Sequence, residues 1–139
     1  MQTLPEERIE KLLDGPYMIV DILPRRVPAE GPGQYPAVER YYRGAEEITL
    51  KKLGLLLKLN CYYDLLVVTG GEEILNPAPK DLRSLVGEVY LNILTGDALI
   101  VSDPDDHYMT VYGAGGDLAG LLEKLAAAEG LFVWMPEEN

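Results

Sequence analysis

The chain has 139 residues, of which 47% are hydrophobic and 25% are charged. This composition supplies one apolar core and argues against an intrinsically disordered chain. A single cysteine excludes a disulfide framework within the chain, and no apolar run approaches the roughly 18–20 residues of a membrane-spanning helix. The first residues lack the basic and then apolar layout of a secretion signal. We therefore expect one globular domain over residues 1–139, located in the cytoplasm.

Charge is distributed unevenly along the sequence. Residues 1–60 hold 9 acidic and 9 basic residues, whereas residues 61–139 hold 14 acidic and 3 basic residues and carry the whole net charge of −11. Because a strongly negative protein repels nucleic acid and anionic membranes, neither is predicted as a partner. The acidic half is either a solvated surface that keeps the protein soluble or a face that docks a basic protein.

The first predicted helix follows Thr3, because its hydroxyl and the Glu6 carboxylate fit a capping box. Residues 17–23 then predict a strand that is covered on both faces, with Asp21 as the exception to its apolar character. Residues 24–36 contain 4 Pro and 2 Gly, which predicts a long irregular loop. Loops of this length are uncommon in compact domains and are often functional or mobile.

Two helices are predicted after the loop, a short one beginning at Pro36 and a long one over residues 45–60. Residues 62–69 give the strongest strand prediction, because their Leu and Val run does not alternate with polar residues. A further helix is predicted from residue 76 to Gly96, on the three- and four-residue spacing of its Leu, Val and Ile residues.

The C-terminal part predicts a hairpin and then a helix. Residues 98–102 and 107–112 are joined by Asp103-Pro104-Asp105-Asp106, which suits a type I turn. Asp117 is predicted to cap a helix that ends at Gly130.

A last strand over residues 131–135 precedes a tail at residues 136–139. The resulting order, α-β-α-α-β-α-β-β-α-β, predicts a single α+β domain with helices packed on the sheet. Helical crossovers imply parallel pairing and the hairpin implies antiparallel pairing, so we expect a mixed sheet of about five strands.

No catalytic or metal-binding set stands out. Cys61 and His107 are each the only residue of their type, and we interpret them as a small buried thiol and a histidine at a hairpin end rather than as a dyad. The acids at 103–106 match turn chemistry better than an EF-hand, and the glycines at 113–116 lack the Gly and Lys of a phosphate loop. We therefore predict no cofactor and no metal. Enzyme activity stays open, although the missing motifs argue against it.

One candidate site follows from the predicted sheet. Ligands of open α/β sheets bind beyond the carboxyl ends of the strands, and the Pro- and Gly-rich loop is expected to lie over that edge. Arginines there offer rigid donor forks for a carboxylate or phosphate. The residues that this placement gathers as a ligand or partner site are Asp21, Arg25, Arg26, Gln34, Tyr35, Thr69 and Gly70.

Aromatic residues suggest a second surface. Phe132 and Trp134 share one face of the last strand, so they either pack in the core or meet a partner. Three functions stay open: a non-enzymatic module that binds a basic protein, such as an adaptor, inhibitor or immunity-type antagonist; a protein or enzyme with a small anionic ligand under residues 24–36; and a structural unit that assembles as a homo-oligomer. We expect the first.

Overall fold

This computed structural model describes residues 4–136 of the chain. Apolar residues follow the strand period of two in some segments and the helix period of 3.6 in others. The strands are β1 (Tyr17–Asp21), β2 (Leu66–Thr69), β3 (Glu72–Leu75), β4 (Leu91–Thr95), β5 (Ala98–Ser102), β6 (Met109–Tyr112) and β7 (Phe132–Trp134). The helices are α1 (Pro5–Leu13), α2 (Tyr35–Tyr42), α3 (Glu46–Leu59), α4 (Pro79–Glu88) and α5 (Gly116–Ala128). None of these helices is long and apolar enough to cross a membrane.

The strands form a single sheet in the order β3-β2-β4-β5-β6-β1-β7, and every neighbouring pair is antiparallel. In β1, Tyr17 lies opposite Tyr112 of β6, and Asp21 lies opposite Phe132 of β7. The first strand of the chain is therefore enclosed between two strands from its C-terminal third. This register sets the neighbours of Asp21.

The two faces of the sheet are covered differently. On one, which we call the packed face, α3, α4 and α5 bury a continuous core that includes Leu56, Leu82, Ile100 and Leu122 at 0% exposure. On the other, the open face, α1 buries a small cluster in which Ile9 packs with leucines of β4 and β5. A segment of residues 22–45, which we call the arm, extends from β1 to α3 and contains α2.

The α+β class and the single domain are confirmed, but the predicted sheet is corrected on two points. It has seven strands rather than five, because β3 was missed and residues 91–95 form β4 instead of extending the preceding helix. It is antiparallel rather than mixed, because strands that are joined by a helix are not neighbours in this sheet.

Glycines mark the missed hairpins. Gly70 and Gly71 have φ of 54° and 82°, and they join β2 to β3 as a two-residue turn between the paired residues Thr69 and Glu72. Such turns require positive φ, which glycine adopts without strain. Gly96, with φ of 53°, occupies the corresponding turn between β4 and β5. A glycine that we interpreted as a helix end is therefore a hairpin turn.

The remaining predictions differ in detail. The hairpin of β5 and β6 is confirmed. Leu4 holds the N-cap position of α1, and Thr3, the other half of the predicted capping box, lies outside the described residues, as do residues 137–139 of the tail. α5 begins at Gly116 with Gly115 as its N-cap, so Asp117 lies in the first helical turn and is not the cap.

Candidate functional site

A cavity of about 410 Å³ lies between the open face and the arm. β1, β6 and β7 provide its floor, and the arm provides one wall. Pockets of roughly 300–1,000 Å³ accommodate small molecules. The residues that line the cavity are Tyr17, Ile19, Asp21, Leu23, Arg26, Val27, Tyr35, His107, Tyr108, Thr110, Tyr112 and Trp134.

Asp21 is a buried carboxylate whose two oxygens both accept hydrogen bonds. Its Oδ1 lies 2.7 Å from the backbone N of Ile22 and 2.9 Å from Nδ1 of His107. Its Oδ2 accepts a hydrogen bond of 3.3 Å from Nε1 of Trp134. A buried charge is stable only when it is paired and hydrogen-bonded. Asp21 therefore has the environment of an ionised anchor that orients its neighbours.

His107, which is 4% exposed, links the sheet to the arm. It lies between β5 and β6, and its Nδ1 contacts Asp21. Its Nε2 lies 3.1 Å from the hydroxyl of Tyr35 and 3.8 Å from a carboxylate oxygen of Glu39. The Tyr35 hydroxyl donates to the same Glu39 oxygen at 3.2 Å. A chain of contacts thus runs from Asp21 through His107 and Tyr35 to Glu39.

A charged imidazole satisfies every contact of this chain. Tyr35 donates its one hydrogen to Glu39, so its oxygen accepts from Nε2 of His107, and Nδ1 donates to the Asp21 carboxylate. Both ring nitrogens then carry hydrogen, which makes His107 an imidazolium. Consistently, the hydrogen bond to Asp21 raises the pKa of His107 above its ordinary value, against the opposing effect of burial.

Tyr35 remains a phenol in this environment. Burial and the adjacent Glu39 carboxylate raise its pKa to about 12, because both disfavour a phenolate. At neutral pH its hydroxyl is therefore a hydrogen-bond donor and acceptor, and it has no tendency to act as an anionic nucleophile.

A buried lysine holds the loop that carries His107. Lys52 of α3 is 3% exposed, and its Nζ donates to the backbone oxygens of Asp103 at 2.8 Å and Asp106 at 2.6 Å. The Asp103 side chain accepts from the backbone N of Asp105 at 2.9 Å, which is the turn chemistry predicted for this segment. Lys52 thereby fixes the residue that directly precedes His107. Burial lowers the pKa of Lys52 to about 8, against the effect of the nearby acids.

The structure brings three of the predicted site residues into one place: Asp21, Arg26 and Tyr35 all line the cavity. Arg25 and Gln34 are exposed and do not line it. Thr69 and Gly70 lie at the same end of the sheet as Asp21 but roughly 19 Å away, because four strand spacings of about 4.8 Å separate β2 from β1. Thr69 donates from its hydroxyl to the backbone oxygen of Tyr90 instead.

The two predicted interface aromatics have different surroundings. Trp134 is half-buried, donates to Asp21 and lines the cavity. Phe132 is 47% exposed on the same strand. Of the pair, Phe132 is thus the one available to another molecule.

Sequence reasoning missed His107, Glu39 and Lys52 as parts of this site. A signal for His107 was present, because Asp21 is an isolated acid in an apolar strand and a buried acid needs a donor. Cys61 also differs from its prediction: its side chain is exposed in the turn after α3, and its Sγ contacts the backbone oxygen of Leu57 at 3.6 Å. The pairing of β1 with β6, which joins Asp21 to His107, was not visible in the sequence.

Comparison of this sequence with known protein families, curated proteins and solved structures finds no match.

Proposed function

We propose that this protein binds a small anionic molecule with a ring-shaped body in the cavity beneath the arm. The observation that carries the proposal is the cavity of about 410 Å³ whose lining combines two cationic side chains, Arg26 and His107, with aromatic rings. Small-molecule sites combine apolar walls with a few fixed polar groups in this way.

Arg26 supports the anionic part of the proposal. Its side chain lines the cavity, and among residues 4–136 it forms no ion pair within 4.0 Å. A free guanidinium offers a planar fork that matches a carboxylate or phosphate. Asp21 lines the same cavity but forms no ion pair with Arg26 within 4.0 Å, and its oxygens accept from Ile22, His107 and Trp134 instead.

The floor of the cavity supports the ring-shaped body. Tyr17 and Tyr112 lie with ring centroids 5.4 Å apart, and Ile19 and Trp134 complete this part of the lining. Aromatic side chains provide flat apolar surface with a polar edge. A ligand with an anion at one end and a planar or cyclic body at the other matches both halves of the cavity.

A binding experiment with simple probes tests this proposal. Trp134 is the only tryptophan of the chain and lines the cavity, so its fluorescence reports on occupancy without a label. We expect benzoate or phenyl phosphate to change this fluorescence saturably, and we expect acetate and the uncharged benzamide to bind at least about tenfold more weakly, the equivalent of about 1.4 kcal/mol.

Two neighbouring arginines provide a matched control. Arg26→Ala should weaken benzoate binding about tenfold or more, a typical loss for a charge-assisted hydrogen bond. Arg25→Ala removes the same charge from a position outside the cavity and should leave binding within about twofold. Equal losses in both variants, or benzamide binding as strongly as benzoate, would contradict the proposed anion site.

Docking of a basic protein on the acidic half, and assembly of the chain with itself, stay predictions. The exposed acids of edge strand β3, Glu72 and Glu73, are consistent with the first, and exposed Phe132 with the second. A basic partner captured from lysate should dissociate steeply as salt rises, because exposed charges are screened. Light scattering that finds a strict monomer at high concentration would exclude self-assembly.

A further inference from the structure

The arm is held to the body of the protein by few contacts. Residues 22–34 form neither helix nor strand, and none of the residues of α2 is fully buried. Among the hydrogen bonds of residues 4–136, the contact between the Tyr35 hydroxyl and His107 Nε2 is the one that joins α2 to the sheet. An element with so little buried surface can detach locally while the core stays folded.

Every contact of this tether is satisfied only when His107 carries both ring hydrogens. With an imidazolium, the three contacts along Asp21, His107, Tyr35 and Glu39 each contain one hydrogen. If Nε2 loses its hydrogen, the single hydrogen of the phenol faces two acceptors, Nε2 and the Glu39 carboxylate. One of the two contacts then places lone pairs against each other, and the attraction between the imidazolium and Glu39 at 3.8 Å is lost as well.

Charged and titratable groups approach His107 from every side of the site. The acids favour its protonated form, and burial opposes it. These groups are Asp21 of β1, Tyr35 and Glu39 of α2, Asp106 and Tyr108 beside it in the chain, and Lys52 of α3.

We propose that the arm is a proton-operated lid, which His107 holds over the cavity most firmly while both ring nitrogens carry hydrogen and less firmly once Nε2 loses its hydrogen. Leu23, Arg26, Val27 and Tyr35 of the arm line the cavity, so release of the arm removes one of its walls. The gating of a ligand rests on the function proposed above, whereas the tether is a property of the protein alone and is testable without any ligand.

The direction of the pH dependence follows from the coupling between proton binding and the stability of the folded state. The pKa of His107 is raised in the folded protein above its ordinary value of about 6.5. The stabilisation from a raised pKa is complete below the unfolded value and is lost as pH rises through the folded value. The lid is therefore held most firmly below about pH 6.5 and opens more readily as the pH rises above this value through the raised pKa.

The experiment combines two readouts on the full chain. The chain contains one histidine, so the imidazole carbon-bound proton resonances report its titration by NMR without assignment. Hydrogen–deuterium exchange, corrected for the intrinsic effect of pH, reports the protection of α2, with α3 as the internal reference for global folding. In the wild type we expect a His107 midpoint above 6.5 and a loss of α2 protection of about tenfold through the same midpoint.

Three variants give different signatures. Tyr35→Phe removes the tether and should leave α2 poorly protected at every pH. Glu39→Gln should keep α2 protected across the titration. When His107 is neutral, the Tyr35 hydroxyl donates to Nε2, and the introduced amide then donates a hydrogen of its own to the Tyr35 oxygen. Tyr41→Phe alters a tyrosine of the same helix that is 76% exposed, and it should behave like the wild type.

The outcomes separate the lid from the ligand site. Wild-type α2 protection that stays flat through the His107 titration overturns the lid, as does a midpoint at or below 6.5, even if benzoate binds. A pH-dependent α2 whose dependence disappears in Glu39→Gln supports the lid even if no probe binds. If Tyr35→Phe fails to fold, as loss of α3 protection would reveal, the wild type and Glu39→Gln still decide the question.

Discussion

The packed face and the open face of the same sheet are stabilised by different interactions. On the packed face, α3, α4 and α5 exclude water from a continuous apolar core. On the open face, the arm is joined through the chain of hydrogen bonds that begins at Asp21 and ends at Glu39. Apolar burial does not depend on protonation, whereas a hydrogen-bonded chain of ionisable groups does. The two faces should therefore respond differently to pH and to substitution.

The largest expected effect tests the packed face. Leu56→Ala in α3 removes a side chain with 0% exposure and should lower the free energy of unfolding by about 2–5 kcal/mol. Leu50→Ala, in the same helix and 43% exposed, is the matched control and should cost less than about 1 kcal/mol. Urea unfolding measures both. Equal losses would mean that the helical layer does not carry the stability of the domain.

The sequence predicted the packed face better than the sheet beneath it. The 3–4 spacing of apolar residues gave the helices, including α3 and α5, because burial of one stripe imposes that period. Strand number failed where periodicity is ambiguous, because Ile93 of β4 continues the three- and four-residue apolar spacing of α4. The hairpin turn at Gly96 distinguishes a separate strand β4 from a longer α4, and the positive φ of Gly96 is a property of the folded backbone.

The candidate site was predictable only in part. Asp21, Arg26 and Tyr35 come from one short stretch of sequence, within the irregular loop or directly before it, so local reasoning placed them together. His107 enters the site because β6 pairs with β1, across 86 residues of sequence. Strand order is set by the total packing of the sheet, and a single sequence does not show it. For the same reason Thr69 and Gly70 were grouped with residues four strands away.

The second prediction tests the anchor of the open face. Asp21→Asn keeps the shape of the side chain but removes the charge that faces the imidazolium, and it should cost about 1.5–3 kcal/mol at about pH 6. The stability difference from the wild type should shrink as pH rises through the His107 pKa, because a neutral imidazole no longer needs the carboxylate. Urea unfolding at a series of pH values measures it. A difference that stays constant with pH would show that Asp21 acts through shape alone.

The third prediction concerns Lys52, which belongs to the packed face but supports the open one. Its pKa falls from 10.5 to about 8 on folding, so between these values the unfolded chain binds more protons than the folded one. This group therefore contributes stability that rises with pH, by at most about 1.4 kcal/mol per pH unit.

Lys52→Met removes that contribution. Between about pH 8 and 9.5 Tyr35 stays protonated, because its pKa is raised to about 12. In this range the slope of the free energy of unfolding against pH should be lower in Lys52→Met than in the wild type. Lys51→Met, in which the next side chain loses its hydrogen bond of 3.1 Å to the backbone oxygen of Glu129, should keep the wild-type slope. An unchanged slope in Lys52→Met would mean that Lys52 stays fully charged in its buried position.

The smallest expected effect asks whether the arm unfolds on its own. Gly44 follows α2 with φ of 68°, and a Cβ there would meet nothing within 4 Å, so Gly44→Ala adds backbone strain of about 1 kcal/mol and no clash. Gly33 has no positive φ, and a Cβ there would also meet nothing within 4 Å. Gly33→Ala should therefore stabilise the attached arm by about 0.4–1 kcal/mol, because alanine lowers the conformational entropy of the detached arm. If the arm detaches while the packed face stays intact, hydrogen exchange in α2 should speed up in the first variant and slow down in the second, and in both it should depend only weakly on sub-denaturing urea, because local opening exposes little surface. A urea dependence of α2 exchange as steep as that of α3 would instead make the arm part of the same cooperative unit as α3, because a segment that opens only with the core exposes the surface of the whole domain when it opens.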